Sequence, residues 1–453
     1  MKKLCFLILG FLLMFGSKES ALAYGTNDAE ADYVLVQQYV DSVNEGVYSN
    51  IPELFNTEKG NVTKKFLSDK SNQKKSLGIY NVKEITDFSL HPLDEVVSEV
   101  GYEEYEDLQS YLLMLDCSVK KSNQFFMEGK NYFQLITGIE NGERKILELS
   151  VADVSHLEDK ISVSLLSDGE SVDFTEYEEQ RNKVLVENCG FKQITMEQEE
   201  TSSLARANYS PTKLSSYAFP SKIKVYNSST GKSKEIDFRT YCYVVSASEF
   251  AVGTDGTTKV NGEALKAFSL CVRNFGWYRC LYPYDPSNNA DVTDNTDTQT
   301  FKWSIFNGGV GKISQTYPQN VQKMSSVWNV MMFDSKKKLF IPPYRAGKYA
   351  AGYLIANNES NFSQNGANYY ATKLGKSYKE ILHYYYDNAK GTLITKGNII
   401  ICSSHTMTGS YYTSSKGHAV TCKTCGYFSS LSSHTYKVYN GIVKCSVCGY
   451  KNS

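Results

Sequence analysis

Residues 28–55 place Val34, Leu35, Tyr39, Val40 and Val43 at three- and four-residue intervals, the spacing of one apolar face on a helix. Farther on the pattern shortens. Apolar runs beginning at Leu112 (LLMLDCSVK), Asn131 (NYFQLITGIENG) and Lys145 (KILELSVADV) predict a meander of strands. From Leu157 to Lys213 the chain turns polar, with the acidic runs FTEYEEQ and MEQEETSS, and predicts a linker with some local helix. Near Tyr217 apolar order returns. IKVYNSSTG and KEIDFRTYCYVV, split by an Asn-Ser-Ser-Thr-Gly turn signal, predict a hairpin whose second run continues as a strand through YCYVVSAS to Glu249. A Gly- and Thr-rich loop follows. The next stretch keeps Ala264, Ala267, Phe268, Cys271, Phe275 and Tyr278 at helical spacing on one face, with Lys266 and Arg273 sharing a second face.

Those shifts divide the chain into an N-terminal module over 24–156, a linker over 157–216, a central domain over 217–400 and a small Ser- and Tyr-rich unit over 401–453. Helices followed by longer strands make the N-terminal module similar in order to an NTF2-like or cystatin-like α+β module. That likeness is architectural and names no catalytic residue. His91 and His156 within it read as packing or surface residues.

The first 23 residues change the compartment. Lys2 and Lys3 precede an apolar run from Leu4 to Phe15, and Ala21-Leu22-Ala23 supplies small residues for cleavage. This is the pattern of a secretory signal peptide, too short for a comfortable membrane span. The expected protein is secreted or held at the cell surface, with no membrane span after cleavage. Retention of the segment as an anchor is the alternative. Cleavage removes three Lys and one Glu and moves the formal net charge from −1 to −3. The near-neutral balance gives no basic surface for nucleic acid. Aromatic residues make up 13% of the chain, with 34 Tyr against 3 Trp, and tyrosine's flat apolar face with a hydroxyl suits sugar rings as well as strand packing.

Eleven cysteines are present, and Cys5 leaves with the signal. Cys117, Cys189, Cys242, Cys271, Cys280 and Cys402 are scattered without a disulfide framework and read as thiols of the core. The last four are different. Cys422-Lys-Thr-Cys425-Gly-Tyr and Cys445-Ser-Val-Cys448-Gly-Tyr repeat one pattern with 19 residues between the pairs. Two such pairs at that spacing predict a four-thiolate, zinc-ribbon-like site on Cys422, Cys425, Cys445 and Cys448, holding a structural zinc. His418 and His434 are substitute ligands in this reading, and two disulfides are the competing outcome in an exported chain.

The central region resembles the stage II sporulation protein D and amidase-enhancer family. Glu263-Ala264-Leu265-Lys266-Ala267 matches the start of the family helix EALKAQAxAARTYA, and Arg273 falls where the family's Arg does. Asp291-Val292-Thr293-Asp294-Asn295-Thr296-Asp297-Thr298-Gln299 looks like the DVxDTTxxQ loop. Phe340 to Gly347 (FIPPYRAG), Ser363-Gln364-Asn365-Gly366-Ala367 and Gly375 to Leu382 (GKSYKEIL) look like later segments, so the likeness spans about residues 217–396. The resemblance implies that Glu249 is the catalytic acid of an enzyme that cuts peptidoglycan glycan strands. It implies Lys266 and Arg273 as structural or cleft-lining supports, and Gln299, Ser363 and Gln364 as substrate contacts.

The sequence departs from the family in two places. Between Cys280 and His383 there is no Cys or His, so the metal-ligand loop of many members is absent. Asp291, Asp294 and Asp297 lack EF-hand spacing and predict a solvated acidic loop. The family's GHGVGMSQ lead-in is replaced by Asn358-Glu359-Ser360-Asn361-Phe362-Ser363-Gln364. The expectation is therefore a multidomain α+β protein whose central domain is a lytic transglycosylase using one Glu as acid and then base. A non-catalytic wall-binding protein, stimulating a cell-wall amidase or acting as an adhesin, is the second reading.

Overall fold

The computed structural model describes residues 28–93, 102, 104–157, 174–189, 191, 220–250, 260–307, 309–345, 361–387, 389, 394–406, 411–414, 417–420, 422, 432–439 and 442–451. The expected signal segment, the loop 251–259 with Asp255, residues 346–360 and Cys425 lie outside them, as does most of the expected linker. The chain is mixed α+β with several small sheets. Among the described residues no helix is long and apolar enough to cross a membrane.

Helix α1 (Asp28–Asn44) carries the predicted apolar face, and Leu35, Val36, Tyr39, Val40 and Val43 are buried. Short α2 (Ile51–Leu54), α3 (Thr57–Ser68) and α4 (Lys70–Lys74) follow. The chain then forms an antiparallel meander of β1 (Val82–Pro92), β2 (Glu106–Val119), β3 (Gly129–Glu140) and β4 (Glu143–Val151). The last two runs were legible because β-branched and aromatic residues cluster between turn residues. Short α5 (Val154–Leu157) closes the module. His156, expected as a packing or surface residue, sits there in a charged cluster with Asp153 at 2.7 Å and Asp334 at 3.8 Å. In the expected linker, α6 (Thr175–Cys189) buries Tyr177, Val184 and Leu185 in the main core, and buried Arg181 donates to the Leu281 carbonyl.

The predicted hairpin is β5 (Lys222–Asn227) with β6 (Lys232–Asp237), and β7 (Val292–Thr293) adds parallel to β5. The strand expected through Tyr241 to Glu249 is instead α7 (Phe238–Glu249). Asp237 ends the hairpin and caps the helix, accepting the Thr240 N–H at 2.8 Å. Phe238 and every residue from Thr240 to Ala247 are buried, so the run shows no polar period, and an unbroken apolar stretch reads alike as strand or buried helix.

The predicted helix is α8 (Gly262–Leu281). Its expected apolar face is buried, but so is the rest from Leu265 onward except Lys266, because α7, α11 (Pro318–Ser326), α12 (Gln364–Lys373) and α13 (Tyr378–Tyr386) surround it. Between α8 and α11 lie short α9 (Trp303–Phe306) and α10 (Gly309–Thr316). Strands β8 (Met331–Phe333), β9 (Tyr344–Arg345) and β10 (Phe362–Ser363) complete this part, with β9 and β10 paired in parallel. The core thiols Cys242, Cys271 and Cys280 are wholly buried here.

N-terminal and central parts share one hydrophobic cluster that joins Leu112, Met114 and Tyr132 to Phe238, Phe275 and Tyr278. Backbone bonds stitch the seam: Ile79 N–H to Ser287 O and Val151 N–H to Pro283 O, each 2.9 Å. Gly78 makes that approach possible. Its φ is +53°, and a Cβ there would lie 2.1 Å from the Ser287 carbonyl oxygen.

The tail docks through β11 (Ile400–Cys402), which pairs antiparallel with β8 and sets Cys402 opposite Met331. Two hairpins follow: β12 (Tyr411–Ser414) with β13 (Gly417–Val420), and β14 (Tyr436–Tyr439) with β15 (Ile442–Cys445).

Candidate active site and metal groups

Glu249 is the last residue of α7, a poor place for a negative charge because the helix end presents carbonyl oxygens. Asn320 relieves part of this by donating from Nδ2 to Ser246 O at 3.1 Å and Phe250 O at 2.8 Å. Apolar walls add to it. Phe250 meets Phe268 edge to face at 5.4 Å, and Phe268 meets Tyr344 edge to face at 5.0 Å. Burial therefore pushes the Glu249 carboxyl up to about 7, despite hydrogen bonds from Tyr344 and Thr300 that favour the anion.

Those bonds fix where the carboxyl points. The Thr300 N–H donates to Oε1 at 2.5 Å, and Ser248 Oγ accepts the Lys302 N–H at 3.2 Å, so the helix end clamps the segment after Gln299. Gln299 is wholly buried, and both ends of its amide are engaged. Oε1 accepts from the Tyr241 hydroxyl at 2.8 Å, while Nε2 donates to the Tyr344 hydroxyl at 3.0 Å. With that lone pair occupied, the Tyr344 hydroxyl points its own hydrogen at Glu249. A relay Tyr241–Gln299–Tyr344–Glu249 results.

The other residues expected around the site fall in three places. β10 pairs Phe362 with Tyr344 and Ser363 with Arg345, which brings Ser363 and Gln364 one strand away from the relay. Ser363 Oγ caps α12 by accepting the Gly366 N–H at 3.0 Å. Lys266 sits on the seam of α8 and α13, 2.6 Å from Glu263, whose other oxygen accepts the Tyr378 N–H. Arg273 is buried, and its guanidinium donates to the carbonyls of Val327, Trp328 and Val330 at 3.2, 2.6 and 2.5 Å. All three of these partners are backbone of the segment just before β8. Tyr344, Tyr241 and Thr300 were not marked by the sequence reading. Tyr344 lay inside the quoted FIPPYRAG segment, but nothing local singles out its hydroxyl.

The acidic loop, expected to be solvated, is so only in part, with Asp294 and Asp297 half-buried. Asp291 is buried, and burial pushes it up to about 7 although Gln124 and the Lys224 N–H both donate to it. Asp294 accepts from Trp303 Nε1 at 2.7 Å and from the Ser228 N–H. Asp297 lies beside Glu58, whose carboxyl it raises. These carboxylates join the loop to its neighbours.

In the tail, cysteines and histidines form two groups that could hold a metal ion. His418, His434, Cys445 and Cys448 make one, and Cys402, His405 and Cys422 the other. The expected set of four cysteines is thus divided: Cys422 groups apart from Cys445 and Cys448, and Cys425 is outside the described residues. The reason is the route of β11, which carries Cys402 and His405 to Cys422. Around Cys445, burial opposes the thiolate, yet the N–H groups of Cys448 and Val447 bring it down to about 6. Cys448 is pushed up to about 11, first by burial and then by Cys445 beside it.

No protein-family model and no curated protein matches the chain.

Proposed function

We propose that the chain cleaves peptidoglycan glycan strands as a lytic transglycosylase, with Glu249 as general acid and then general base. The carrying observation is a partly buried carboxyl at a helix end whose proton is held to about 7. An acid for this work must be protonated near neutral pH and still able to give the proton up.

In the first step the Glu249 proton goes to the glycosidic oxygen, and the bond from that oxygen to the muramyl anomeric carbon breaks. In the second, the Glu249 carboxylate takes the proton of the sugar's own 6-hydroxyl, whose oxygen closes on the anomeric carbon. The product is a 1,6-anhydro end, no water is consumed, and Glu249 is protonated again. Tyr344 and the Thr300 N–H steady the anion between the steps. One carboxyl suffices, whereas hydrolysis wants a second at a set distance. Asp255 and Asp294 would be candidates for that second carboxylate, and Asp294 already accepts from Trp303 and Ser228.

The same reading carries export by the N-terminal signal, a structural zinc in the tail, and an NTF2-like or cystatin-like N-terminal module as a binding or spacer part. Its test is digestion of purified glycan strands by the wild-type chain and by Glu249→Gln, followed by mass spectrometry of the ends. Anhydro ends from wild type alone are expected. New reducing ends would indicate a hydrolase. Wall binding without any cleavage would leave the chain a non-catalytic wall protein, acting through a separate amidase or as an adhesin.

A further inference from the structure

The geometry points to two separate structural zinc sites in the C-terminal segment, one of which fastens that segment to the central part of the chain. This sharpens the structural-zinc reading above and is independent of the glycan chemistry.

The distances are those of ligands around an ion. With Zn–S near 2.3 Å and Zn–N near 2.0–2.1 Å, a tetrahedron has S···S edges of about 3.8 Å and S···N edges of about 3.5 Å. Cys402 Sγ lies 3.8 Å from Cys422 Sγ and 3.5 Å from His405 Nδ1. In the other group, Cys448 Sγ lies 3.4 Å from His434 Nδ1 and Cys445 Sγ 3.9 Å from His418 Nδ1. A disulfide would instead bring two sulfurs to about 2.05 Å.

The surroundings prepare both groups for a metal. At the first, His405 Nε2 lies 2.9 Å from the Asn329 carbonyl oxygen. Donation there makes Nδ1 the ring's acceptor and turns its lone pair toward the sulfurs, the outer-shell arrangement usual for a metal-ligating histidine. Asn329 belongs to the segment whose neighbouring carbonyls Arg273 holds, so this anchor is itself fixed from α8. At the second, Gly449 donates its N–H to Cys445 O at 3.0 Å with φ at +78°, making the knuckle between Cys445 and Cys448. The His434 ring is stacked on Tyr450 at 4.7 Å. The second group is a complete two-sulfur, two-nitrogen set, which leaves no open position and so marks a structural site. The first supplies three donors among the described residues.

Along the chain the ligands interleave. His418, of the second group, precedes Cys422, of the first, so the two sites share the segment between those residues. Since Cys402 also pairs in register with Met331 of β8, the first ion would tie the tail to the central sheet.

Native mass spectrometry of the full chain, purified without chelator, tests the count. Two zinc ions are expected, falling to one in Cys422→Ser and to one in Cys445→Ser. A single zinc lost in both variants would restore the four-cysteine ribbon and overturn the inference while leaving structural zinc standing. No zinc, with oxidised thiols, would overturn both. X-ray absorption at the zinc edge needs no variant: nitrogen scatterers near 2.0–2.1 Å beside the sulfurs near 2.3 Å are expected, and an all-sulfur shell refutes the two-site assignment.

Discussion

Glu249→Gln should change how stability depends on pH, whatever the chain's substrate. The carboxyl holds its proton to about 7 in the fold, against an ordinary 4.5. A group raised on folding contributes stability that is fully present below its unfolded value and is lost as pH rises through the folded one. At 1.36 kcal/mol per tenfold change in proton affinity, that gap corresponds to about 3 kcal/mol lost between pH 4 and pH 8. Gln is neutral throughout and keeps an oxygen for the Thr300 N–H. Any fixed cost of the exchange shifts its curve without tilting it. Urea unfolding of both chains at five pH values from 4 to 8 supplies the comparison. The stability of the variant relative to wild type should climb by about 3 kcal/mol across the range, most of it between pH 5 and 7. Parallel curves would show that the carboxyl is not held in a poorly solvated place, and the case for it as a neutral-pH acid would fall. On glycan strands the same variant should lose at least about 100-fold in rate, the lower bound for removing a general acid.

Tyr344→Phe removes a hydrogen bond that favours the Glu249 anion, so the alkaline limb of the cleavage profile should move above about 7, read from rates on glycan strands against pH. Arg273→Leu strands three buried carbonyls and should cost about 3 kcal/mol or more by denaturant unfolding, with no change in pH slope at neutral pH and below. Burial alone would depress His156, but Asp153 and Asp334 raise it to about 9. Its contribution is present below 6.5 and lost as pH rises through about 9, so His156→Gln should destabilise by about 3 kcal/mol at pH 6 and by less at pH 10. Gly78→Ala forces a left-handed φ and a contact with Ser287 O, and should lower the melting temperature by an amount matching about 2 kcal/mol.

What the sequence disclosed about the fold was local. The Asn-Ser-Ser-Thr-Gly turn marked the hairpin of β5 and β6, and short apolar runs marked the meander. The helical spacing from Ala264 to Tyr278 marked α8. Each signal lies within one element. The segment from Phe238 to Glu249 defeated the same reasoning because all but a few of its residues are buried, which erases the period that separates helix from strand.

The site divides along the same line. Glu249 was marked by the company of the helix that follows it, and the paired cysteines marked the tail as a candidate metal-binding segment. Which atoms meet was decided by tertiary structure. Tyr344 reaches Glu249 only because β9 lies against Phe268 and receives Gln299 from the loop after β7. Cys402, an ordinary core thiol by sequence, joins Cys422 only because β11 adds to β8. Arg273, predicted on a helix face, is drawn inside because three carbonyls near β8 need a donor there. The sequence by itself marked candidate residues and the stretches with a clear period, since spacing and residue type are local properties. The fold alone decided that the carboxyl keeps its proton to about 7 and that the cysteines split into two sets with histidines. Desolvation and ligand distance are set by partners that arrive from elsewhere in the chain.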